Sequence, residues 1–120
     1  MIYHIIEKSD HDVLTASGFC HPASLDREGF IHCSGSESDV LAVANRFYRG
    51  SDIRVLLIDE TRLGGKLKWE KPTHDDFTNL FPHVYGELDA ESIRGVGCFD
   101  MDRNGVFIGI EKVRQAGGNN

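Results

Sequence analysis

Ile53-Arg54-Val55-Leu56-Leu57-Ile58 is an apolar run interrupted only by Arg54. A strand with one wet face alternates apolar and polar residues, whereas a run this continuous marks a central strand covered on both faces. The run also divides the chain. Before it the periodicity reads β-α-β-α, and after it the apolar segments are mostly strands. Two early helices followed by a succession of strands predict an α+β fold and not a doubly wound parallel sheet.

Immediately upstream, Ser36-Glu37-Ser38-Asp39 supplies cap candidates and first-turn acids, and Val40, Leu41, Val43, Ala44, Phe47 and Tyr48 follow at helical spacing. Gly50 ends that helix. Gly29 opens a strand, Phe30 to Ser34, in which Phe30, His32 and Ser34 share one face and Ile31 and Cys33 the other. Phe19 to Glu28, with Pro22, reads as a loop. Ser9 is the expected N-cap of a short helix ending at Gly18. Met1 to Ile6 reads as the first strand, with Ile2, His4 and Ile6 on one face and Met1, Tyr3 and Ile5 on the other.

Downstream, Arg62 to Gly65 is a turn and Lys66 to Glu70 alternates as an edge or half-exposed strand does. Lys71 to Asn79 is polar, holds Pro72 and reads as a loop. Leu80 to Gly86 is a short extended element that Pro82 assigns to an edge or an irregular position. Asp89 to Ser92 suits one helical turn. Ile93 to Phe99 is a strand weakened by Gly95 and Gly97. Asp102 to Gly105 is a hairpin turn, and Val106 to Ile108 the final strand. Residues 1–110 thus form one globular domain. Residues 111–120, which end in the polar, glycine-rich Gln115-Ala116-Gly117-Gly118-Asn119-Asn120, are expected to be a flexible tail.

Composition narrows the function classes. A chain of 120 residues fits one domain that buries roughly two-thirds of its unfolded surface, and 40% apolar with 27% charged residues is an ordinary globular balance. The net charge is −6, from 13 basic and 19 acidic residues with no basic run. Broad nucleic-acid binding, which needs many cationic phosphate contacts, is disfavoured, while a local pocket for one phosphate is not. Cys20, Cys33 and Cys98 are odd in number and form no CxxC pair, so neither a disulfide framework nor a zinc knuckle is indicated. There is no basic, apolar leader pattern at Met1 and no segment near the roughly 20 apolar residues of a membrane span. A cytoplasmic location without a membrane partner is expected.

Six histidines carry most of the chemical potential. His11, His21 and His74 sit among polar residues and are expected at the surface. His4, His32 and His83 each lie in an extended segment on the face of apolar or aromatic neighbours, where an imidazole loses water and must find a partner. Two readings of this trio are open: three separate, hydrogen-bonded core histidines, or one site. Three histidines can hold a zinc ion with an open position, but no HExxH spacing occurs. Cys33 follows His32 directly and so points to the opposite face, which removes a Cys–His nucleophile pair. Asp59-Glu60 reads as a solvated strand end. Glu70 could hydrogen-bond a histidine or a ribose hydroxyl, and reads more simply as a surface acid. No GxGxxG or Walker A loop is present.

Met1-Ile2-Tyr3-His4-Ile5, Gly29-Phe30-Ile31-His32-Cys33-Ser34, the helix Val40 to Arg49 and Phe81-Pro82-His83-Val84-Tyr85-Gly86 together resemble the bacterial domain-of-unknown-function 952 family. The resemblance runs from about Met1 to Ile108, with the motifs in the family's order. It implies an ADP-ribosyltransferase-like split β-sheet with two main helices, near the RNA 2′-phosphotransferase branch. It further implies a cleft for NAD, with His4 on the first strand, His32 and Ser34 on the second motif strand, and His83 in the third position. Tyr85 would join His4, His32 and Ser34 in holding the cofactor. Transferases of that fold often carry Glu in the third position, where it stabilises an oxocarbenium-like ribose. His83 supplies no fixed negative charge, but suits phosphate binding or proton transfer. The implied activity is therefore binding or processing of NAD, ADP-ribose or a 2′-phosphorylated ribose through His4, His32 and His83, with no metal. The alternatives are a non-catalytic ligand-binding or interaction domain and a His-ligated metal site.

Overall fold

The structure, a computed structural model, describes residues 1–72 and 77–114. Its first sheet has four antiparallel strands in the order β1 (Ile2–Glu7), β4 (Ile53–Ile58), β8 (Ile93–Met101) and β9 (Phe107–Arg114). β4 is an inner strand of this sheet, as its apolar run predicts. The sheet separates two cores. Tyr3, Ile5, Val55 and Leu57 face one, together with Val40 and Ala44 of helix α3 (Glu37–Phe47). Ile2, Ile6, Leu56 and Ile58 face the other, with Leu14 of helix α1 (Lys8–Ser17) and with Ile31, Val84 and Leu88. Period 2 in the two strands thus assigns each side chain to its core.

The second sheet is three-stranded and antiparallel, in the order β3 (Ile31–His32), β6 (Phe81–Val84) and β5 (Leu67–Glu70). A short ribbon pairs β2 (Phe19–Cys20) with β7 (Leu88–Asp89). Besides sharing the core that holds Ile31 and Val84, the two main sheets are joined among the described residues by an isolated backbone bridge, where Tyr3 N–H donates to Ser34 O at 2.9 Å and Ser34 N–H to Tyr3 O at 2.7 Å. The architecture is α+β with two antiparallel sheets and three α-helices among the described residues.

Several expectations are corrected. β6 occupies the middle of its sheet although it contains Pro82. Cys33 N–H donates to Pro82 O at 3.1 Å, but proline has no N–H to return the bond. The pairing therefore stops at His32↔His83, β3 is two residues long, and Ser34 turns away to meet β1. The segment expected as a loop before it contains a third helix, α2 (Ala23–Glu28), entered from Pro22 and closed at Gly29 with φ 86°. Two main helices thus become three. Ser9 does not cap α1, which follows directly on β1; Lys8 N–H donates instead to Asp52 O at 3.1 Å. β9 continues to Arg114 because its partner β8 extends to Gly95↔Arg114, so residues 111–114 are strand and not tail. Residues 115–120, the remainder of the expected tail, and His74 lie outside the described residues.

Candidate functional site

A cavity of about 590 Å³ opens between β1 of the first sheet and β3 and β6 of the second, with α2 and the end of α3 completing its wall. His4, His32, Ser34 and His83 all line it. Tyr85 is not on that wall; its hydroxyl donates to Glu70 Oε1 at 2.6 Å.

His4 sits on β1 with its side chain on the buried face. Its Nδ1 lies 2.7 Å from the carbonyl oxygen of His32. A carbonyl only accepts, so Nδ1 carries the hydrogen. Burial pushes the His4 pKa down to about 4, against a smaller upward pull from that backbone bond. At neutral pH the ring is uncharged and its Nε2 keeps a lone pair that bonds to no protein group among the described residues.

His32 and His83 are direct cross-strand partners of β3 and β6. Partners in register project to the same face, and their ring centroids stand 5.5 Å apart at 72°. Each ring is held by a carboxylate. His32 Nε2 is 2.5 Å from Glu28 Oε2, and His83 Nδ1 is 2.8 Å from Glu70 Oε1. The bond from His32 holds the Glu28 carboxyl below its usual range, and the bonds from Tyr85 and then His83 do the same for Glu70. Both carboxylates are thus ionised at neutral pH and accept, so His32 Nδ1 and His83 Nε2 are the nitrogens without a bond among the described residues. Phe30 stacks on the His83 ring at 4.1 Å and 22°, and its centroid is 4.7 Å from that of His32. This packing fixes the ring planes.

The three imidazoles predicted as a site therefore share one cavity, and each has one nitrogen tied and one without a partner among the described residues. The two acids that orient them were not read as site residues. Glu28 fell in a presumed loop, and its i,i+4 spacing to His32 was the available signal. Glu70 was read as a surface acid, although it stands two residues from His83's partner Lys68 and so on the same sheet face. His21, expected simply at the surface, is on the cavity wall with both ring nitrogens bound, to Glu87 at 2.7 Å and Asp26 at 2.8 Å. Two carboxylates on one ring require two N–H donors, and those bonds raise its pKa, Asp26 contributing most. Arg27 also lines the cavity and has no ion-pair partner among the described residues. The Ser34 hydroxyl is buried in the same wall, likewise with no hydrogen-bond partner there.

Burial pushes the Cys33 thiol far up, which suits the core position predicted from its alternation and not a nucleophile. Among the described residues no group of three or more His, Cys, Asp or Glu side chains is placed to hold a metal ion, so the His-ligated reading lacks a ligand set there. Among them, too, no helix is long and apolar enough to cross a membrane.

The model of the family described as Protein of unknown function (DUF952) matches residues 5–96, and the chain belongs to that family. It is similar to protein CC0527 from Caulobacter crescentus, whose crystal structure is 28% identical with a TM-score of 0.77 over 89% of this chain and 92% of that one. The solution NMR structure of CC0527 gives a TM-score of 0.73 at 28% identity, over 88% of this chain and 89% of the other. No curated protein matches the chain.

Proposed function

We propose that this DUF952 domain binds a small ribose-phosphate ligand of the nucleotide class in the cavity and processes it through His4, His32 and His83. The ligands that suit the reading are NAD, ADP-ribose or a 2′-phosphorylated ribose. One observation carries it: three imidazoles, each locked in one tautomer by an acceptor on its other nitrogen, line a single cavity of about 590 Å³. That volume lies within the usual range for small-molecule sites, roughly 300–1,000 Å³. Carboxylate-oriented histidines are the usual equipment of proton transfer.

The division of labour follows from what each ring is tied to. Neutral His4 offers an acceptor and suits a ribose hydroxyl. Arg27 supplies a cation for a phosphate. His32 and His83 exchange protons with the reacting group. Glu70 gives His83 the fixed negative partner that the third motif position itself lacks. The ADP-ribosyltransferase-like reading joins the same proposal, supported by a cavity bounded by strands of both sheets beside the Tyr3–Ser34 bridge. Titrating the protein with NAD, ADP-ribose and adenosine 2′-phosphate, while following histidine and backbone NMR shifts, tests the reading. Saturable shifts at His4, His32 and His83 are expected. No shift at about millimolar ligand, a free energy of roughly 4 kcal/mol, would overturn it. Saturable shifts without turnover of any of the three would reassign the domain to ligand binding alone.

A further inference from the structure

His4 differs from the other two histidines in a way that bears on reaction class. It is tied to a neutral carbonyl and is uncharged, whereas His32 and His83 each face a carboxylate of their own. A reaction in which nicotinamide leaves NAD releases a neutral group and needs no acid at the leaving atom. Expulsion of an alkoxide does need one. Two carboxylate-backed imidazoles, set side by side by a cross-strand pair, therefore match a transfer between two oxygens better than a glycosidic cleavage.

We propose that His32 and His83 form a general acid–base pair acting on a ribose phosphodiester whose neighbouring hydroxyl is the nucleophile. The proposal rests on the reading that the cavity takes a ribose phosphate and narrows its substrate class. Neutral His32 accepts the proton of the 2′-hydroxyl at Nδ1. The 2′-oxygen forms a bond to phosphorus as the bond from phosphorus to the departing alcohol oxygen breaks. His83, entering the step protonated, delivers its Nε2 proton to that oxygen. The products are a 2′,3′-cyclic phosphate and a free alcohol. One proton has moved on to His32 and one off His83, so the total is unchanged, and exchange with water resets the pair.

The geometry fits this assignment. Ring centroids 5.5 Å apart bring both imidazoles beside one phosphate group, since each hydrogen bond reaches about 2.6–3.2 Å. His83 has a carboxylate at one nitrogen and the π face of Phe30 at 4.1 Å, surroundings that suit a ring carrying a proton. His32 has the more open side chain, 40% exposed against 4% for His83, and so the easier exchange with water. Arg27 stands on the same wall to meet the phosphoryl charge. Glu28 and Glu70 are positioning residues, acting through the rings they hold.

The test uses the full chain with a 3′,5′-linked ribodinucleotide and its deoxyribose counterpart, followed by phosphorus NMR. The expected result is a 2′,3′-cyclic phosphate from the first and no cleavage of the second, with a bell-shaped pH profile. His32→Ala should slow the reaction at least about 100-fold. Its loss of activity also excludes a contaminating nuclease. Because His83 is buried and its substitution perturbs folding as well as chemistry, Glu70→Gln is the second probe; it should lower kcat and alter the pH profile while KM stays. Cleavage of the deoxyribose compound, absence of cyclic phosphate, or a rate unchanged in His32→Ala would each overturn the pair. If NAD or ADP-ribose still shifts the three histidines in that event, the nucleotide cleft stands without it. If those titrations are silent too, both readings fall.

Discussion

At the scale of single residues, His4 has the clearest measurable consequence. An unfolded chain protonates it near pH 6.5, whereas burial holds the folded value near 4. A basic group whose folded pKa is depressed stabilises the fold in its neutral form. That stability is complete above the unfolded pKa and is lost as pH falls through the window between the two values. The full loss amounts to about 3 kcal/mol at 1.36 kcal/mol per unit. Glu28 and Glu70, whose pKa values are lowered, begin to lose theirs only near the unfolded carboxylate value of about 4.3. Between about pH 4.5 and 6.5 the slope therefore belongs mainly to His4. Urea unfolding across that range should show stability rising with pH in the native chain. The slope should flatten in His4→Asn, whose amide can still donate to the His32 carbonyl. The location of this residue was legible from period 2 alone, whereas the alternation expected from Phe30 to Ser34 holds only over Ile31 and His32, because Ser34 leaves the strand to meet β1. The acids that orient His32 and His83 were not legible, because alternation shows which way a side chain points and says nothing of what a neighbouring segment brings to meet it.

At the scale of elements, helix α3 shows a sequence signal realised in full. Ser36 caps it through a bond from Asp39 N–H at 3.1 Å, and its apolar stripe lies on the first sheet. Ser36→Ala should cost about 1 kcal/mol. A less legible feature joins this helix to β9. Asn45 Nδ2 donates to Phe107 O at 2.9 Å, and Phe107 N–H donates to Asn45 Oδ1 at 2.8 Å. The amide thus serves both backbone groups where the last strand begins. Asn45→Ala strands that donor and acceptor, so denaturant unfolding should register a loss of about 1–3 kcal/mol, and Phe107 should lose amide protection. Helix α2 was missed for a physical reason. It is six residues long with Leu25 as its one large apolar side chain, too short to display a period. What holds it is tertiary: His21 bridges Asp26 to Glu87, and Glu28 grips His32. The His21 bridge raises its pKa, so its contribution is complete below the unfolded value and is lost as pH rises through the folded one. Protection factors of the amides in residues 23–28, which discount the base catalysis of exchange itself, should fall as pH rises through the folded His21 pKa, and His21→Asn should remove that fall.

At the scale of the whole molecule, the continuous apolar run of β4 and the placement of its neighbours express one constraint. A sheet covered on both faces must send alternate residues to different cores, and Val55 and Leu56 do so while both are fully buried. The α+β class was legible from that run and from the order of elements. The pairing of strands was not, since β4 joins β1 and β8 across long separations and Pro82 misdirects the reading of β6. Gly97 shows the same limit. Along the chain it looks like a weak point in a strand. In three dimensions it is where β4 and β9 crowd β8. A Cβ there would lie 2.9 Å from Val55 Cγ1, 3.0 Å from Ile110 Cγ2 and 3.1 Å from the Glu111 carbonyl oxygen. The side-chain contacts can yield, but the backbone oxygen belongs to the paired strand and cannot. Gly97→Ala should therefore destabilise the domain by about 1–3 kcal/mol, as overpacked cores do. Val55→Ala alone leaves a cavity in the α3 core and also destabilises. Together they remove one of the two side-chain clashes, so the double variant should cost less than the sum of the singles, with a coupling of about 0.5 kcal/mol or more. A double-mutant cycle by urea unfolding checks this. Strict additivity would mean that β8 accommodates the methyl by sliding on β9, and that the close contact of the three strands at Gly97 does not constrain the sheet.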